Sequence, residues 1–105
     1  MPLVDISSAA EADLYEIAFY IGHKDRSPQG AERLLQAIEE SCALHAQQPL
    51  MGTARPDIGD GIRLFSCGTK SNPNGWIVIY RPIENGIELV RVFRGSQNYT
   101  KILSP

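Results

Sequence analysis

The chain has 105 residues, 43% of them hydrophobic and 21% charged, with two cysteines and a formal net charge of −2. That is the size of one ordinary domain, long enough to bury roughly two-thirds of the surface its unfolded chain exposes, so a core needs neither metal nor disulfides. The composition excludes disordered, fibrous and disulfide-dense classes, and no run approaches the ~18 apolar residues of a membrane span.

The opening residues, MPLVDISSAAEADL, carry acids where a secretory signal would carry bases and an apolar run, so the expected compartment is the cytoplasm. With no repeat, low-complexity tract or linker, residues 1–105 read as a single domain. Leu3 to Ile6 is a short apolar run that predicts an opening strand. Ser8-Ala9-Ala10-Glu11 has the spacing of a capping box, and Ala10, Leu14, Ile17, Ala18 and Ile21 then form one helical stripe ending near Ile21. Gly22 and the polar run His23 to Arg26 make a turn. Ser27-Pro28 starts a second helix, because serine can accept from free amides and proline at the first position gives up a donor that had no partner. Ala31, Leu34, Leu35, Ile38, Cys42 and Ala46 supply its apolar face until Pro49 stops it.

After the loop Pro49 to Gly61 the period becomes extended. Ile62 to Cys67, Trp76 to Arg81 and Ile87 to Arg94 are rich in β-branched and aromatic residues, separated by Gly68 to Gly75 and by Glu84-Asn85-Gly86. Asn85-Gly86 is a hairpin signal, since both residues tolerate positive φ. The expected architecture is α+β: an N-terminal strand, then an antiparallel two-helix hairpin packed on one face of a small antiparallel sheet, in the order β-α-α-β-β-β. The other sheet face is left for solvent or a partner.

Charge divides unevenly along the chain. Residues 1–50 hold three bases and eight acids, while residues 51–105 hold seven bases and four acids. This suggests either a basic surface offered to a polyanionic partner or two solvated faces of opposite sign. Cys42, Cys67, His23 and His45 lack ligand spacing, so no metal or other cofactor is expected and the cysteines read as buried filler. Arg63, Arg81 and Arg91 fall on three successive strands, with Arg94 ending the last and Arg55 in the preceding loop. They can build a cationic surface, or tie down helix ends, loop carbonyls or the acids Asp57, Asp60 and Glu88. Arg91 and Arg94, three apart, point to opposite faces. Trp76, Tyr80 and Phe93 read as core or partner-facing, and Tyr15, Phe19 and Tyr20 widen the apolar surface of the first helix.

Asp13-Leu14, Ile17, Tyr20-Ile21, Gln48-Pro49, Gly52, Arg55-Pro56, Gly61-Ile62-Arg63, Ile79-Tyr80-Arg81 and Gly86 to Val92, in this order and spacing, resemble the ParE branch of the RelE/ParE toxin superfamily. Its members are toxin halves of type II toxin–antitoxin modules, associated with plasmid stabilisation. The chain departs from the family at Phe93-Arg94-Gly95, where a histidine often precedes the glycine, and in a longer 68–75 connection. The resemblance implies a DNA gyrase poison that binds without catalysing a reaction, so no catalytic residues, with Arg63, Arg81, Arg94 and Tyr99 as target contacts. It implies a ParD-like antitoxin whose disordered segment folds over Tyr15, Phe19, Tyr20 and Trp76, and hetero-oligomers on operator DNA. RelE-like members are metal-free messenger-RNA endonucleases, and Arg63, Arg81 and Tyr99 could stand for their residues, but Leu50 to Asp60 contains no lysine and no histidine follows His45. A third reading is a degenerate toxin that only binds its antitoxin.

Overall fold

Each helix start is set by a serine. The computed structural model describes residues 2–24, 26–70 and 72–95. Strand β1 (Leu3–Ile6) leads through Ser7 into α1 (Ser8–Phe19). The capping residue is Ser7, one earlier than the Ser8-to-Glu11 spacing suggests: its Oγ accepts from the Ala10 amide at 3.1 Å. The same hydroxyl donates to the Val90 carbonyl and the Ser7 amide to the Leu89 carbonyl, so pairing with the last strand chooses between the two serines. The stripe expected on α1 is at least half-buried throughout, and Asp13 joins it. The helix ends at Phe19, where a π-helical turn (Tyr20–Lys24) begins.

Helix α2 (Pro28–Gln47) follows the expectation closely. Ser27 Oγ accepts from the Gly30 amide at 3.1 Å, Pro28 fills the first position, and Ala31, Leu34, Ile38, Cys42, His45 and Ala46 are buried at three- and four-residue intervals. His45 is the polar member that periodicity alone did not supply.

Strands β2 (Thr53–Ala54), β3 (Arg63–Thr69), β4 (Asn72–Ile83) and β5 (Gly86–Arg94) complete a sheet of order β1-β5-β4-β3-β2. β3, β4 and β5 form the expected antiparallel meander, but β1 runs parallel to β5, from Leu3 opposite Gly86 to Ile6 opposite Leu89, so the sheet is mixed. The helical pair and the meander separate these two strands in sequence, and no tight turn imposes antiparallel pairing on them. Gly86 is required at this edge because a Cβ there would run into the Leu3 carbonyl. The β4–β5 turn carries Glu84-Asn85 at its tip, with Asn85 at φ +64° and Ile83 paired to Gly86, one residue earlier than Asn85-Gly86 predicts.

Most of the expected 68–75 connection is strand. Asn72 to Gly75 have poor strand propensity, yet Ser66 Oγ lies 3.0 Å from Asn74 Oδ1 and the Gly75 carbonyl accepts from Gly95, so tertiary pairing overrides it. The core lies between the helices and one sheet face, joining Ala10, Ile17, Leu34, Ile38, Cys42 and Ala46 to Phe65, Cys67, Val78, Tyr80, Ile87, Leu89 and Val92. Strand alternation turns Ile77, Ile79, Arg81, Glu88, Arg91 and Phe93 to the opposite face.

Candidate functional site

The arginines lie at different ends and faces of the sheet and hold different partners. Arg63 Nη1 donates to the Leu50 carbonyl at 3.0 Å and the Gly52 carbonyl at 2.6 Å. Beside it, Tyr80 Oη donates to the Pro49 carbonyl at 2.7 Å and accepts from the Gly52 amide at 2.9 Å. A Cβ at Gly52 would collide with the Tyr80 ring, so glycine alone lets the loop seat on it. His45 stacks on Phe65 with ring centroids 3.8 Å apart, its Nδ1 2.7 Å from the Ser41 carbonyl, a contact that calls for the proton on Nδ1. Burial pushes the Tyr80 hydroxyl above its ordinary pKa, against the hydrogen bond from Gly52 and the charge of Arg63. This end of the molecule is a closed lock on residues 48–52.

Arg91 forks onto Asp13 of α1, Nε to Oδ2 at 2.7 Å and Nη2 to Oδ1 at 3.0 Å, and Asp13 Oδ2 also accepts from the Val92 amide at 2.9 Å. β1 pairs with β5 only as far as Leu89, so Asp13 caps a strand edge that β1 leaves uncovered. The hydrogen bond to Asp13 raises the Arg91 pKa above its usual value. Asp13 is the functional partner missed in the sequence, because 78 residues separate it from Arg91. Arg55 pairs with Asp57, whose carboxyl that hydrogen bond holds below the usual range. Arg81 lies on the sheet face away from the helices, 2.6 Å from Glu88, with a side chain 55% exposed.

The opposite end is open. Arg94 turns to the helix side of the sheet, its Cζ 3.7 Å from the centroid of the Tyr20 ring. Tyr20, Ile21, Ser27, Gly30, Leu34, Asn72, Asn74, Trp76 and Arg94 line a groove of about 800 Å³ between the start of α2 and the β3–β4 hairpin. Trp76 Nε1 is shielded from solvent there and finds no acceptor among the described residues. An unmatched buried donor of this kind costs about 1–3 kcal/mol. A second groove of about 840 Å³ runs between α1 and the start of α2, walled by Tyr15, Phe19, His23 and Ala31 with Glu16 and Glu32 on its rim. Tyr15 is 72% and Phe19 60% exposed, and Phe19 stacks on His23 at 4.5 Å. Three exposed aromatics within one helix and the turn that ends it exceed what a core stripe needs.

The residues expected to contact a partner thus divide. Tyr15 and Phe19 share one groove, Tyr20 and Trp76 the other, with the π-helical turn between. Of the expected target contacts, Arg63 belongs to the lock, Arg81 to the far sheet face and Arg94 to the Trp76 groove, while Tyr99 lies outside the described residues. The cysteines are buried, as filler should be: burial, helped by Cys67 and Glu39, pushes the Cys42 thiol up to about 12, and burial pushes Cys67 up to about 11. Among the described residues no cluster of three or more His, Cys, Asp or Glu could hold a metal ion, and no helix is long and apolar enough to cross a membrane. Among the described residues, the open end combines aromatic surface with one cation, Arg94, and a shielded indole N–H that finds no acceptor.

Comparison with known proteins agrees with this architecture. A family model described as the ParE toxin of the type II toxin–antitoxin system parDE matches residues 4–99. Among solved structures, a chain from the chromosomal ParDE TA system of P. aeruginosa superposes with a TM-score of 0.64 at 23% identity, covering 90% of this chain and 96% of that one. At that identity the likeness bears on the fold. Comparison with curated proteins returns no match.

Proposed function

Since the chain belongs to the ParE toxin family of type II toxin–antitoxin systems, we propose that it arrests bacterial growth by binding DNA gyrase and holding the enzyme on cleaved DNA, and that a ParD-like antitoxin covers it in the neutralised state. The observation that carries the toxin reading is the family match over residues 4–99. Support for a binding mode over catalysis comes from the side chains that an RNA-cleaving site would recruit. Arg63 is spent on two loop carbonyls, and His45 is buried against Phe65. A poison that acts by complementarity needs an accessible surface and no proton relay.

Arg81, Arg94 and Tyr99 are the proposed gyrase contacts. Arg63 acts by holding the 48–52 loop. The two grooves, with Tyr15 and Phe19 in one and Tyr20 and Trp76 in the other, receive the antitoxin, which fits an ordering segment that buries exposed aromatics. The test is a gyrase assay with purified, antitoxin-free protein, reading supercoiling and linear plasmid. Linear plasmid that depends on this chain, and that Arg81→Ala reduces, is the expected result. Intact supercoiling at stoichiometric excess, together with ribosome-dependent cleavage of messenger RNA, would overturn it.

A further inference from the structure

The two edges of the sheet are finished differently. At β1 the Leu3 and Ser7 amides donate to the Asn85 and Leu89 carbonyls, so Val4 and Ile6 turn their backbone groups outward. The outward Ile6 amide donates to Asp5 Oδ1 at 3.1 Å, and a charged side chain thereby guards that edge. At the other edge β2 covers only Arg63 and Leu64, because the chain before Thr53 turns inward at Gly52, whose amide bonds Tyr80. The Arg55 amide donates to the Ile62 carbonyl, so alternation points the backbone groups of Leu64 at β2 and those of Ser66 and Gly68 into the lane beyond it. Among the described residues nothing bonds the N–H and C=O groups of Ser66 and Gly68. Phe65 to Thr69 hold no charge and no proline, the usual guards of an open edge. We propose that an extended segment of the antitoxin fills this lane as an added strand, its backbone bonded to Ser66 and Gly68 and its end entering the Trp76 groove.

The surroundings of the lane fit such a segment. Ala46 and Gln47 of α2 face Pro2 and Gly86, and Glu32 faces α1, so the helical period puts Ala37, Ser41 and Leu44 on the opposite flank, over the β3 edge. Leu44 is 50% exposed there and gives an apolar contact to alternate side chains of an entering strand. The lane is also continuous with the open end of the molecule. Thr69, at the end of β3, and Asn72 line the same groove as Tyr20 and Trp76, so one segment runs from the edge into the groove without turning back. A segment that orders on binding arrives with unpaired backbone groups, and an open edge satisfies them where the internally bonded helices α1 and α2 do not. A nucleic acid would ask for cations along its phosphates, and residues 65–69 offer none. A second copy of this chain, pairing β3 with β3 through two open residues on each side, would bury less than a stable dimer needs.

The inference rests on the toxin–antitoxin reading, and its test separates the two. The chain is co-expressed with the antitoxin of its own module, and amide hydrogen exchange at Ser66 and Gly68 is followed in the free chain and in the complex. Affinity is measured by calorimetry for the wild type, Ser66→Pro, Ser66→Ala and Leu44→Glu, each shown to fold by circular dichroism. Ser66→Pro deletes the outward donor, a loss an edge strand tolerates, whereas Ser66→Ala keeps that donor and removes only the hydroxyl that meets Asn74. Both amides should exchange fast in the free chain and about tenfold or more slower in the complex. Affinity should fall about tenfold or more for Ser66→Pro, about threefold to tenfold for Leu44→Glu and less than about twofold for Ser66→Ala. Where Ser66→Pro does not fold, the exposed Leu44→Glu site and the exchange rates decide. A wild-type complex in which both amides stay fast and Leu44→Glu binds unchanged would overturn the added strand and leave the toxin–antitoxin reading standing. Slow exchange at both amides in the free chain that quickens on dilution would give the edge to a second copy and overturn the antitoxin assignment. Absence of any wild-type complex would overturn both.

Discussion

The two ends of α2 are built on opposite principles. At its C-terminal end Tyr80 and Arg63 bond Gly52 and the carbonyls of Pro49 and Leu50, while His45, held by the Ser41 carbonyl, packs its ring against Phe65 and Tyr80. At its N-terminal end, Ser27 caps the helix, but the space beside it is a groove with an indole donor that finds no acceptor among the described residues and a cation stacked on an exposed tyrosine. Polar groups matched internally make a scaffold, whereas the groove end exposes its aromatic and charged side chains. The difference separates residues that hold this toxin together from those proposed to meet its partners.

Mutations at the locked end should cost the most stability. Tyr80→Ala removes a fully buried ring and should destabilise by about 3–5 kcal/mol in urea unfolding, while Tyr80→Phe, which only orphans the Pro49 carbonyl and Gly52 amide, should cost about 1–3 kcal/mol. Equal losses for both would mean that the hydroxyl network does the stabilising and the ring little. Asp13→Ala leaves Arg91 and the Val92 amide without their partner; because Arg91 keeps some contact with water, the loss should be roughly 2–4 kcal/mol, below the upper range for a fully buried pair.

Alkaline pH should weaken the core in a particular window. Cys42 and Cys67 keep their protons in the folded chain up to about 12 and about 11, while in the unfolded chain they ionise near 9. The folded state then binds more protons, so stability is whole below about pH 9 and is lost as pH rises toward the folded values. The slope of stability against pH between 9 and 11 should be shallower in Cys67→Ala; an unchanged slope would assign the loss to other groups. Neither thiol should react with an aromatic disulfide reagent in the native protein at pH 8.

The open end should behave in the other direction. Trp76→Phe gives up the packing of one ring but also deletes an N–H that finds no acceptor among the described residues, and the two effects offset, so thermal unfolding should change by no more than about 1 kcal/mol in either direction. The smallest stability effect belongs to Arg81→Ala, whose exposed pair with Glu88 is worth about 0–1 kcal/mol, while growth arrest on expression should drop. An Arg81→Ala variant that unfolds early would reassign that arginine to the scaffold.

What the sequence made legible follows the range of the interactions. α2 was readable almost to the residue, because Ser27, Pro28 and the 31–46 spacing are local signals. Spacing chose Ser8 as the cap of α1 where the structure uses Ser7, because Leu89 and Val90 decide between the two serines from the far end of the chain. The parallel β1 edge and the Asp13–Arg91 fork are likewise contacts across some 80 residues, invisible to any window. Among the site residues, the aromatics Tyr15, Phe19 and Tyr20 were legible as surplus apolar surface. Their division between two grooves was not, because it depends on the π-helical turn at Tyr20, which no residue pattern announces.

Amide hydrogen exchange on the free chain and on its antitoxin complex tests the contrast between the two ends most directly. The Met51 and Gly52 amides should already be slow in the free chain and change little, while protection is gained across 20–34 and 72–76. Protection gained chiefly at 48–52, with the Tyr20 turn and the β3–β4 hairpin unchanged, would contradict it.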